Sequence, residues 1–109
     1  MAYDAGVYQC TRSRLAERYG FSEKRMFGGV AFLCSGNMAI GLLGDYLIVR
    51  VGPDAMQRCL REPHTRVFDI TGRTMKGWVM VAVEGLGDDE VLFAWIERGW
   101  TFAGSLPRK

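Results

Sequence analysis

With 109 residues the chain is long enough for one domain with its own core and too short for two of ordinary size. Hydrophobic residues at 49% and charged residues at 24% exclude a disordered chain, and the apolar runs are strand-sized and interrupted, so none spans a bilayer as a helix. The net charge of +2 lacks the clustered basic excess of a nucleic-acid binder, so tight DNA binding is not expected.

The opening Met1-Ala2-Tyr3-Asp4 has neither the basic start nor the apolar run of a secretory signal. Three widely spaced cysteines, Cys10, Cys34 and Cys59, suit reduced thiols better than a disulfide framework, so a cytoplasmic location without membrane attachment is expected.

In chain order, Asp4 is the expected N-cap of a first helix running to about Tyr19, with Val7, Tyr8, Thr11, Leu15 and Tyr19 on one face and Gly20 ending it. Residues 21–24 read as a short connection. Residues 25–34, 38–43 and 46–51 then read as three strands of an antiparallel meander, turned at Ser35-Gly36-Asn37 and at Gly44-Asp45, where glycine supplies the positive φ of short hairpins. Gly28 and Gly29 interrupt the first strand. A bulge that bends a long strand is the preferred reading, against close passage of a ligand or partner backbone.

Gly52-Pro53 opens a second helix with Met56, Cys59 and Leu60 on its apolar face, and Pro63 stops it. Residues 67–70 and 75–83 read as two more strands around a turn at 71–74. Asp88 caps a last helix whose apolar face carries Val91, Leu92, Trp95, Phe102 and Leu106. The expected fold is one domain, 1–109, of the α+β class: a two-layer arrangement with helices on a five-stranded antiparallel sheet in the order α-β-β-β-α-β-β-α.

The chain shows no enzyme motif. His64 is the single histidine, and Cys59 five residues earlier could act as its nucleophile only if the thiol were exposed, whereas its helix position points to burial. The cysteines and histidine lack metal-ligand spacing, and residues 71–77 lack the Gly-Lys-Ser/Thr ending of a phosphate loop. No catalytic residue, metal or cofactor is expected.

The words Lys24-Arg25-Met26-Phe27-Gly28-Gly29-Val30-Ala31-Phe32, Gly36-Asn37-Met38, Leu47-Ile48-Val49-Arg50-Val51 and Thr71-Gly72-Arg73-Thr74-Met75-Lys76-Gly77-Trp78-Val79 follow one another in this order. Together they closely resemble the N-terminal domain of the TfoX/Sxy family of competence regulators, over nearly the whole chain. The resemblance implies a fold similar to that of secretion chaperones and a bacterial, non-enzymatic protein acting in competence and transcription regulation through protein contacts. In the long members a helical domain follows, and the whole acts with a cyclic-AMP receptor protein. The family motif would rest on Arg25, Met26, Phe27, Gly28, Gly29, Arg50, Lys76, Gly77 and Trp78, with Trp78 a core side chain. The alternative is a small-ligand binder or an enzyme that gathers Arg25, Arg50, Lys76 and His64 into a cationic pocket.

Strand alternation adds one more expectation. Leu47, Val49 and Val51 oppose Tyr46 and Ile48, and Trp78, Met80 and Ala82 oppose Val79, Val81 and Val83, so both faces of the sheet are apolar. One face is expected under the helices and the other against a second molecule, as a two-fold homodimer.

Overall fold

In a computed structural model, which describes every residue except Met1, Ala2, Phe27 and Thr71 and the side chain of Ile70, the chain forms three helices and one antiparallel sheet of six strands. The elements are α1 (Ala5–Leu15), β1 (Phe21–Met26), β2 (Gly29–Cys34), β3 (Asn37–Leu43), β4 (Tyr46–Arg50), α2 (Met56–Leu60), β5 (Thr65–Ile70), β6 (Arg73–Ala82) and α3 (Asp89–Gly104). Their order across the sheet is β1-β2-β3-β4-β6-β5. Among the described residues, no helix is long and apolar enough to cross a membrane.

The sixth strand is the main correction. The expected single strand 25–34 is two strands, because the chain reverses at Gly28 (φ 79°) and pairs Met26 with Gly29 and Phe21 with Cys34. Gly28 therefore makes a turn rather than a bulge, and the backbone passing close to Gly29 belongs to β3, since a Cβ there would collide with the Leu42 carbonyl oxygen. The register irregularity falls elsewhere. Phe32 pairs with Ile40 but Leu33 with Met38, which leaves Ala39 as an extra residue in β3.

Alternation assigns the core. Phe32, Ile40, Val49 and Val79 lie in one cross-strand row and Val30, Leu42, Leu47 and Val81 in another, all buried against the helices. From α3, Leu92, Trp95, Ile96 and Ala103 are buried at helical spacing against these rows, and Gly99 lets the helix approach closely enough that a Cβ would stand 2.6 Å from the Ala39 carbonyl oxygen. From α1, Val7, Thr11 and Leu15 are buried, and α2 adds Met56 and Cys59. All three helices thus cover one side of the sheet.

The first turns of α1 and α3 follow the expected chemistry, whereas α2 begins at Met56 rather than at Gly52-Pro53 and has no side-chain cap, because Pro53 lies in a turn before it. The Asp4 carboxylate accepts from the Val7 amide at 2.9 Å, and the Asp88 carboxylate accepts from the Glu90 amide at 2.8 Å. Helix α1 stops at Leu15 rather than near Tyr19, and Tyr19 is 80% exposed, so it takes no part in the apolar face.

Two ion-pair clusters fix α1 in place. Tyr8 Oη donates to Glu23 at 2.6 Å and Arg12 Nε donates to the same carboxylate at 3.0 Å, tying α1 to β1. Arg14 Nε donates to Glu97 of α3 at 2.7 Å, and both terminal nitrogens of Arg18 donate to it as well. The Arg18 hydrogen bonds, helped by Arg14 and opposed by partial burial, hold the Glu97 carboxyl at a pKa of about 2.

A carboxyl depressed below its unfolded value stabilises the fold fully above that value, and the stabilisation is lost as pH falls toward the folded value, here between roughly pH 5 and pH 2. Because the Glu97 side chain is 36% exposed, solvent screening limits the network to about 1 kcal/mol. Glu97→Gln is expected to lower stability at pH 7 by about that amount and to flatten the acid limb over this window. Denaturant titrations from pH 7 to 2 check both effects, and an unchanged acid limb would remove Glu97 from this role.

Candidate functional site

The side of the sheet turned away from the helices is apolar and concave. Its central cross-strand row runs Lys24, Ala31, Gly41, Ile48, Met80, Arg66 from one edge of the sheet to the other. The small residues Ala31 and Gly41 make the floor low, and the terminus of the Met38 side chain lies over Gly41, where a Cβ would come 2.6 Å from its methyl carbon. Higher ground rises at both ends. Met26 and Gly29 stand where β1 reverses into β2, and Phe68, Met75 and Trp78 stand in the β5–β6 hairpin. The groove between them has a volume of about 640 Å³ and, apart from Asp69, is lined by apolar side chains and glycine.

The hairpin wall depends on Gly77. Pairing of β4 with β6 ends at Arg50 and Trp78, and beyond it β6 bends at Gly77, whose φ is 90°. The Gly77 carbonyl accepts from both the Val51 and the Gly52 amides at 2.9 Å, and its own amide donates to the Met56 sulfur at 3.2 Å. A Cβ at this position would be 3.2 Å from the Pro53 nitrogen, on a backbone conformation that side chains rarely adopt. Beside the bend, the Phe68 and Trp78 rings pack at a tilt with centroids 6.2 Å apart, and the Arg50 guanidinium lies 5.1 Å from the Trp78 ring.

Trp78 is therefore a half-buried groove residue, and the deep-core place expected for it is taken by Trp95, which is 1% exposed.

The residues of the alternative cationic pocket do not converge. Arg25 lies on β1, where it donates to Tyr3 Oη at 2.7 Å, and His64 lies beside β5 at the opposite edge, about 24 Å away across five strand spacings. His64, with φ 62°, lies 3.8 Å from the Glu84 carboxylate, and Lys76 is exposed next to the bend. The Cys59 thiol is buried and its pKa is raised by that burial, which keeps it protonated and inert. Among the described residues no group of three or more His, Cys, Asp or Glu is placed to hold a metal. A second hollow of about 640 Å³ between α2 and α3 contains Arg58, Glu62, Glu97 and Arg98, but its carboxylates are already committed: Glu62 lies 2.6 Å from Arg98, and Glu97 is held by α1.

Of the expected motif residues, Met26, Gly29 and Trp78 line the groove, while Gly28 and Gly77 make the bends that raise its two walls. Phe27 lies outside the described residues. Sequence reading did not single out Ala31, Met38, Gly41, Phe68 or Met75 as site residues. Of these, only the small pair Ala31 and Gly41 carried a usable signal, since small residues at neighbouring register positions deepen a sheet face.

Fold and site together describe an α+β domain with one helix-covered face and one open apolar groove. The model of the TfoX N-terminal domain matches residues 13–103, and the chain belongs to that family, which is regulatory rather than catalytic and linked to competence. No curated protein and no solved structure matches the chain.

The two tryptophans separate site from core. Trp95→Ala is expected to cost about 3–5 kcal/mol as a cavity in the core, and Trp78→Ala, losing a half-buried ring, about 1–2 kcal/mol. Denaturant unfolding of both variants checks this, and equal costs would return Trp78 to the core.

Proposed function

We propose that this TfoX N-terminal domain is a non-catalytic regulator that works by holding an apolar segment of another protein in the open-face groove. One observation carries the reading: the two longest sequence words of the family resemblance, far apart in the chain, meet as the opposite walls of that groove. A contiguous apolar concavity of this kind on a soluble domain marks a contact surface. Its lining offers no nucleophile–base pair, and the charged clusters elsewhere are spent on joining α1 to β1 and α3. In a competence or transcription circuit, the domain's output is then the recruitment of a protein partner rather than turnover of a substrate.

The test is a reporter for the regulated genes in a host whose own copy is replaced by variants. Gly41→Ala raises the floor, its Cβ displacing the far end of the flexible Met38 side chain, and Leu43→Asp puts a charge on a groove residue that is already 40% exposed. Both are expected to abolish the response with the melting temperature within a few degrees of wild type. Arg25→Ala and His64→Ala are expected to leave it intact. The reverse pattern would favour the cationic residues and overturn the groove reading.

A further inference from the structure

The groove's lining and rim specify what kind of segment it takes. We infer that its occupant is an amphipathic α-helix of a partner protein, apolar on the face it buries and acidic along both flanks of that face; this rests on the proposed role of the groove in protein contact.

Any segment placed in the groove must satisfy its own amide and carbonyl groups, because an unpaired buried one costs about as much as a lost hydrogen bond. The floor lies on the face of the sheet, where β2, β3 and β4 pair with their neighbours; the β5–β6 irregularity at Phe68 and Met75 lies at the wall, and Asp69 is the single charged side chain among the described lining residues. An extended segment would find almost no partners there. A helix brings its own. Strand addition at the edges is also disfavoured, because β1 carries Glu23, Lys24 and Arg25 and β5 carries Arg66 and Asp69.

The groove's width also fits a helix. The low floor spans β2, β3 and β4, two strand spacings or about 10 Å, which matches the roughly 10–12 Å diameter of a helix with its side chains. Three methionines, Met26, Met38 and Met75, line the groove, and their flexible thioethers adapt to the ridges of an inserted helix.

The charges around the groove favour acidic flanks. The central row ends in Lys24 at one edge and Arg66 at the other, and Arg50 stands at the Trp78 end, against Asp69 alone. A helix lying along the strands would have each flank beneath one of these cations, so carboxylates on both flanks are favoured. A second copy of this chain would instead set the same three cations against themselves, which costs affinity.

The experiment uses the full chain with its six methionines labelled at the methyl carbon. Three designed helical peptides share one length: a Leu/Ile stripe flanked by Glu, the same stripe flanked by Lys, and a scrambled Glu-containing sequence with no stripe. The Glu-flanked helix is expected to shift the Met26, Met38 and Met75 methyl signals, to leave that of core Met56 in place, and to bind at least tenfold more tightly than the Lys-flanked helix at low salt. Lys24→Glu with Arg66→Glu, both on exposed positions, should reverse that preference without changing the melting temperature.

Equal binding of both striped peptides would overturn the acidic partner while leaving protein docking in the groove. A groove that responds to no peptide would overturn both. Shifts that appear on concentrating the chain alone, with a doubled mass by light scattering, would assign the face to a second copy and overturn the inference. Shifts with a fatty acid but with no peptide would assign it to a small ligand and also overturn the inference.

Discussion

One backbone group, the carbonyl of Gly77, joins three parts of the molecule. It accepts from the Val51 and Gly52 amides, so the end of β4, the approach to α2 and the bend of β6 are fixed at a single point. The bend is possible because Gly77 takes φ 90° and presents no Cβ to the Gly52-Pro53 backbone. Without it β6 would continue flat from Trp78 to Arg73, and Phe68 and Met75 would not stand over the open face. The hairpin wall of the groove follows from this bend together with the register shift between Val67 and Asp69, and the bend from one residue's freedom from a side chain.

The two faces of the sheet solve different problems with similar residues. On the helix side, large side chains interlock with Trp95, Ile96 and Leu92, and burial supplies the stability. On the open side, Ala31 and Gly41 leave space where the closed side is filled. A sheet face that served only stability would carry polar residues toward water, and the proposed contact role accounts for one that is apolar and hollow. The polar chemistry supports the frame: Glu23 and Glu97 gather the arginines and tyrosine of α1, and no comparable cluster faces the groove.

Much of the fold was legible in the residues. Strands β3 and β4, the caps at Asp4 and Asp88 and the glycine turns followed from alternation and turn chemistry, because there the local signal and the tertiary structure agree. Strand β1 was hidden because, after Phe21, its inward positions are Glu23, a carboxylate satisfied by Tyr8 and Arg12, and Arg25, so apolar alternation does not mark it. With β1 unseen, Gly28 looked like a fault inside a strand rather than the turn between two. The open face was foreseeable as apolar from Tyr46 and Ile48 and from Trp78 and Met80, but its hollow was not, since the wall depends on a bend at Gly77 and a register shift between Val67 and Asp69. A long-range backbone contact of that kind leaves no periodic trace.

The Gly77 tie is tested most directly by residue-resolved amide hydrogen exchange on the wild type and on Gly77→Ala. In the wild type the Val51 and Gly52 amides should exchange as slowly as those in the middle of β4. In the variant both should lose protection and the Met75 and Trp78 side-chain resonances should move, while the amides of β2 and β3 stay protected. Unchanged protection at Val51 and Gly52, with Met75 and Trp78 undisturbed, would contradict the account that this one residue raises the wall of the groove.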